Sequence, residues 1–155
     1  PFLTPPGKIG KSRAGRKPRA NRGSIRARKN TRLEKSKDAF QLTFTGDNPG
    51  IAMDFRAAPI SPAGPYCLAF ELKTDLKGQG EIFFTTDKEA VLPRGETITF
   101  PVVGGSQAQE VRLEIDTVEQ LYQLRIDVAD GPGAATLRRL RLLDRSGKVI
   151  KDWNP

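Results

Sequence analysis

The sequence contains no histidine. It therefore lacks the side chain that titrates nearest neutral pH and most often ligates transition metals. A Ser-His-Asp triad is excluded, and zinc hydrolysis is argued against. There is one cysteine, Cys67, so no intramolecular disulfide and no cysteine-based metal site can form. Cys67 sits among small residues on a strand pattern with no neighbouring base, and reads as a structural residue rather than a nucleophile. No apolar run approaches the roughly 18 residues of a membrane-spanning helix. A helical period is also missing, with Thr117-Val-Glu-Gln120 as one turn at most. No signal peptide is visible. The chain opens on Pro1 rather than Met, so a preceding segment, with any export signal, is expected upstream.

Acidic residues are scarce at one end only. Residues 1–37 hold 13 Lys/Arg against the single acid Glu34, whereas residues 38–155 hold 13 Lys/Arg against 17 Asp/Glu. The net charge of +8 is thus +12 from the first stretch and −4 from the second. The pI near 9.9 belongs to the leader. Ile9, Ile25 and Leu33 are the large apolar residues of 7–37, too few to offset the entropy of ordering it. Residues 1–37 are expected to form a disordered basic linker or arm. Arg13, Arg16, Lys17, Arg19, Arg26, Arg28 and Lys29 would be its polyanion-binding residues, with strongly salt-dependent attraction. Aromatics are absent from 7–37, so base stacking has no platform there.

Residues 38–155 show strand periodicity throughout. Phe40, Leu42 and Phe44 alternate with Gln41 and Thr43, and Gly46-Asp-Asn-Pro-Gly50 is turn chemistry. Ile51-Ala-Met-Asp-Phe55 is a second strand, followed by a proline-rich loop. Tyr66, Leu68, Phe70 and Leu72 mark a central strand. Glu81-Ile-Phe-Phe-Thr-Thr86 follows, and its adjacent phenylalanines require one ring to face away from the core. Thr97–Val103 carries Pro101, which suits an edge. Val111, Leu113 and Ile115 mark another strand, and so do Tyr122, Leu124, Ile126 and Val128. A last long strand runs Ala135–Asp144. Leu137 is out of phase with Leu140 and Leu142, which predicts a β-bulge near Arg138-Arg139. Val149-Ile150 suits an edge pairing and Trp153 a lid on the core. About eight short strands separated by turns imply an all-β, antiparallel two-sheet sandwich of jelly-roll or galactose-binding-like type.

Nothing in this frame reads as a catalytic centre. Gly78-Gln-Gly80 and Gly131-Pro-Gly133 lack the lysine and helix of a phosphate loop. No metal site is expected from ligand spacing and no cofactor is implied, though carboxylates such as Asp38, Asp47 or Asp152 could take a structural calcium ion. Arg125, Arg139 and Arg141 are the binding candidates. With the two final long strands side by side, they would share one exposed sheet face with Asp127, and Glu71 is a further candidate. Such a face could take an anionic or polyhydroxyl ligand through charge-assisted hydrogen bonds. Cross-strand ion pairs are the alternative use of the same residues.

Gly80-Glu-Ile-Phe-Phe-Thr-Thr-Asp87, Leu124-Arg-Ile-Asp-Val-Ala-Asp-Gly-Pro-Gly133 and Leu140-Arg-Leu-Leu-Asp-Arg-Ser-Gly-Lys148, with Trp153, resemble one kind of domain. It is the C-terminal β-sandwich that follows the catalytic domain in bacterial arylsulfatase-like sulfatases of planctomycete type. Similar patterns occur in other galactose-binding-like modules. The resemblance covers roughly 38–153. It implies a non-catalytic accessory module of a secreted or periplasmic sulfatase, packing on the N-terminal catalytic domain or binding sulfated or other polysaccharide. The sulfatase signature, Cys or Ser followed by Xaa-Pro-Ser-Arg, is absent, and Cys67 is followed by Leu-Ala-Phe. The hydrolase itself would be the parent chain. The alternative is a free-standing module whose basic arm binds nucleic acid or sulfated polysaccharide. Catalysis by the chain alone has no motif behind it.

Overall fold

Two antiparallel sheets face one another across an apolar interior in the computed structural model, which describes residues 25–60, 63–89, 96–153 and 155. The strands among the described residues are β1 (Ile25–Ala27), β2 (Thr31–Lys35), β3 (Phe40–Phe44), β4 (Ile51–Asp54), β5 (Tyr66–Thr74), β6 (Gly78–Thr85), β7 (Glu96–Val102), β8 (Gln109–Ile115), β9 (Gln123–Asp127), β10 (Gly133–Leu143) and β11 (Val149–Asp152). One sheet has the order β1-β4-β9-β6-β7. The other has the order β2-β3-β10-β5-β8, with β11 added along β10. The all-β sandwich read from the sequence is the observed architecture, and no described residue is helical.

Each sheet turns one side chain in two toward the other sheet. Phe40, Leu42 and Phe44 point inward from β3, as do Leu68, Phe70 and Leu72 from β5, Ile82 and Phe84 from β6, and Leu124 and Ile126 from β9. Phe70 meets Phe100 of the opposite sheet edge-on, with ring centroids 5.8 Å apart. That ring needs room beneath it: a Cβ on Gly80 would collide with Phe100. Trp153 lies 6.1 Å from Phe55 and closes one end of the core. Pro101 stands on β7, the edge strand of its sheet, where a missing N–H costs least.

The predicted bulge is present. Register between β10 and β5 shifts between Arg138 and Arg141, and Arg139 adopts φ 53°. The extra residue restores Leu140 and Leu142 to the inward face that Leu137 occupies, and all three are fully buried.

Two expectations are corrected. The sandwich starts by Ile25, not Asp38: β1 pairs with β4 and β2 with β3. Leu33 sits opposite Leu42 and Ile25 opposite Met53, and both pack against the core. A left-handed Asn30 (φ 60°) turns the chain between them, its amide donating to the Asp47 carbonyl at 2.8 Å. The segment's own apolar content is low, but the edges of β3 and β4 supply ladder partners that the composition of 25–37 does not register.

β9 and β10 are not neighbours. They lie in opposite sheets, so Arg125 and Asp127 face away from Arg139 and Arg141. The Asp130-Gly-Pro-Gly133 stretch is an arch between layers rather than a hairpin turn. Val128 is buried at the crossing, and Gly133 (φ 153°) passes so close to Leu76 that a Cβ would lie 2.6 Å from its Cδ1. An arch satisfies both strands, because each has an inward apolar face and the two faces can meet across the core.

Candidate functional site

β9 is the central strand of its sheet, and it is buried on both sides. Its outward residues are Gln123, Arg125 and Asp127. Gln123 and Arg125 are buried and Asp127 is half-buried, which corrects the expectation of a solvated face. Arg125 Nε donates to Asp127 Oδ1 at 2.8 Å and Nη2 donates to Oδ2 at 2.7 Å. This forked pairing matches guanidinium to carboxylate geometry. The guanidinium also lies over the Phe83 ring, 4.6 Å from its centroid, in cation–π contact.

Register explains the cluster. Across this face Arg26 pairs with Ala52, Ala52 with Arg125, Arg125 with Phe83 and Phe83 with Thr97. The next row holds Asp127, Glu81 and Thr99. Gly50 must be glycine here, because a Cβ would collide with the Asp127 carboxylate. Burial pushes the Asp127 carboxyl above the ordinary aspartate range, although the Arg125 hydrogen bonds and charge, with Arg28, pull the other way. Arg28 is half-buried beside them, lowered first by burial and then by the charge of Arg125. Arg125 is therefore a positioning residue, which holds Phe83 and Asp127 in place. The groups left open on this face are the half-exposed Phe83 ring and Glu81, flanked by the exposed Arg26, Thr97 and Thr99.

At the margin of the same face Asp54 and Arg56 form an exposed pair, with Nη2–Oδ2 2.6 Å. The Arg56 hydrogen bond holds the Asp54 carboxyl below its ordinary value. A depressed folded pKa gives stability that is present above the unfolded value and is lost as pH falls through the folded one. Asp54→Asn should therefore flatten the acid limb of a Tm-versus-pH curve below about pH 4. The loss at pH 7 should be under about 1 kcal/mol, because both partners are partly solvated.

The other candidates lie on the outer face of the second sheet. Glu71 Oε2 accepts from Arg139 Nη1 at 3.4 Å, and Arg141 Nε donates to the Arg139 carbonyl at 3.2 Å. These two arginines brace the bulge. Arg138 reaches Asp38 only at 4.0 Å. Beside Glu71 and Arg138 runs a groove of about 570 Å³, floored by these two with Gln41, Lys73 and Thr136 and walled by the loop 106–108, and Arg139 and Arg141 do not line it. Sequence patterning places Gln41, Lys73 and Thr136 on an outward face but not next to one another. The order β3-β10-β5 does that.

Of the basic-arm residues, Arg26 lies in β1, with Arg28 and Lys29 just after it. They belong to the sandwich, while Arg13, Arg16, Lys17 and Arg19 lie outside the described residues. Asp38, Asp47 and Asp152 stand on separate elements. Among the described residues no three His, Cys, Asp or Glu gather where a metal ion could be held.

The solved structures that resemble this one include several carbohydrate-binding modules. A family 29 carbohydrate-binding module superposes with TM-score 0.57 at 11% identity, over 79% of this chain and 77% of that one. The fold is shared with carbohydrate-binding modules. A family 29 module from Piromyces equi aligns at TM-score 0.55 and 13% identity, over 77% and 85%. Part of the tailspike protein 4 of bacteriophage CBA120 also aligns, at TM-score 0.54 and 11% identity, over 82% of this chain and 19% of that protein. No family model matches the sequence, and no curated protein matches it.

Proposed function

We propose that the chain is a non-catalytic glycan-binding module that presents the outer face of the β1-β4-β9-β6-β7 sheet to a polysaccharide. The observation that carries this reading is the Phe83 ring, held on a sheet face by the buried Arg125–Asp127 pair and rimmed by hydrogen-bonding groups. An aromatic face packs against the C–H side of a sugar, while carboxylate and hydroxyl groups such as Glu81, Thr97 and Thr99 take its hydroxyls. The superposing modules support the reading. Two variants of one such module were solved with cellulohexaose and with mannohexaose, in studies of ligand recognition.

Phe83→Ala should weaken retention in affinity electrophoresis through soluble glucan and mannan gels by tenfold or more. Its fold should persist, read as an unchanged far-UV circular dichroism spectrum, because the Phe83 ring lies on the outer face and not in the core. Unchanged retention of Phe83→Ala, or no retention of the parent on any polysaccharide, sinks the proposal.

The finer proposal is that this module is the C-terminal accessory domain of an exported sulfatase and packs on its catalytic domain. It is supported by the sequence resemblance over 80–87, 124–133 and 140–153. A Cys/Ser-Xaa-Pro-Ser-Arg motif in the reading frame upstream of Pro1 is the expected finding, and a frame without it refutes this part alone.

A further inference from the structure

The groove on the opposite sheet has a chemistry of its own. Its floor crosses three strands in register, Gln41 of β3 opposite Thr136 of β10 and Thr136 opposite Lys73 of β5. At about 4.8 Å per strand, a three-strand floor suits two to three sugar rings. A neighbouring hollow of about 430 Å³ shares Gln41, Lys73, Ser106 and Thr136 with it and extends it toward Gly105 and Ala134. The lining carries no aromatic ring, so binding here would rest on hydrogen bonds and charge.

The charges are unequally committed. Glu71 is engaged by Arg139, and Thr136 Oγ1 donates to Gln41 Oε1 at 2.8 Å, which leaves the Gln41 amide hydrogens without a partner among the described residues. Lys73 makes no ion pair among the described residues. Arg138 reaches Asp38 only at 4.0 Å, with both partners half or more exposed, and stands opposite Glu71 in the ladder. Asp75 at the far end of the hollow is an acceptor for hydroxyls. Two cations without a close ion pair among the described residues thus stand in the groove beside neutral donors and acceptors, and the carboxylate between them, Glu71, is drawn to Arg139. That set recognises a sugar carrying one anionic group.

We propose that this groove is a second ligand site, for an acidic saccharide bearing a carboxylate or a sulfate. Lys73 and Arg138 take the anion, while Gln41, Thr136 and Ser106 take hydroxyls. It lies on the opposite side of the sandwich from Phe83 and stands or falls separately from the reading given to that face.

The test is an amide-shift titration of the full chain in about 0.15 M salt, where long-range attraction is largely screened. The probes are a hyaluronan tetrasaccharide (carboxylate only), a chondroitin 4-sulfate tetrasaccharide (carboxylate and sulfate) and cellotetraose (neutral). At least one acidic probe should shift resonances at 41, 73, 106–108, 136 and 138, while cellotetraose should leave them in place. Stronger binding of the sulfated probe assigns the anion subsite to sulfate, and equal binding assigns it to carboxylate. Lys73→Ala and Arg138→Ala, both at exposed positions, should each weaken binding at least fivefold. Phe83→Ala should change nothing at these resonances. The proposal is overturned if neither acidic probe shifts the groove, if cellotetraose shifts it equally, if both cation variants bind as the parent does, or if the shifts fall only in the basic leader.

Discussion

Arg125→Ala should lower the unfolding free energy by about 3–5 kcal/mol, the range for removing one partner of a buried ion pair. The side chain is 5% exposed and its partner Asp127 is 12% exposed. Truncation leaves the carboxylate without its two donors, removes the guanidinium from the Phe83 ring, and opens a void on the outer face of β9. The loss should depend on pH in a defined direction. Burial already raises the Asp127 pKa, and without Arg125 it should rise further. A raised folded pKa means that stability is fully present below the unfolded value and is lost as pH rises through the folded one. The variant should therefore lie nearest the parent at about pH 3, where a protonated Asp127 needs no cation, and furthest from it at neutral pH. Asp127→Asn in the Arg125→Ala background should recover part of the neutral-pH loss. Urea midpoints for the four chains at both pH values form a double-mutant cycle. A pH-independent gap would refute the account of the pair.

Phe70→Ala should cost about 3–5 kcal/mol as well, by a different mechanism. Phe70 is 1% exposed at the middle of β5, and its ring edge-packs on Phe100 across the two sheets. β5 lies between β10 and β8, and neither neighbour can close the gap without breaking its ladder. The variant loses the transfer energy of the ring and keeps a cavity lined by both layers. Domains of this size are stable by about 5–15 kcal/mol, so this single change removes a large share. A fall in the urea midpoint at constant slope is the expected result. A loss below about 1 kcal/mol would mean that the sheets are not held together where Phe70 meets Phe100.

Much of this was written locally. Alternation through Phe40–Phe44, Tyr66–Leu72 and Val111–Ile115 named the inward faces, because a strand has period two whatever its neighbours. The phase slip between Leu137 and Leu140 announced the bulge at Arg139. The adjacent Phe83 and Phe84 announced that one ring would be left outside. The basic leader hid β1 and β2, because composition counts what a segment buries by itself and not the edge it can pair with. The candidate site fared less well. Arg125 and Asp127 sit two apart on a strand whose pattern reads as half-solvated, so their burial on the outer face was not legible.

Taken alone, the amino-acid order determined that the domain is built of β-strands, which side chains fill its interior, and that a histidine-based centre and an intramolecular disulfide are excluded. Only the tertiary structure decided that β9 and β10 face each other across the core, that β3, β10 and β5 lie side by side, and that Arg125 meets Phe83. Alternation is a property of neighbours along the chain, a few ångströms apart. Strand order is settled by which edges meet after collapse, and that depends on all the strands at once.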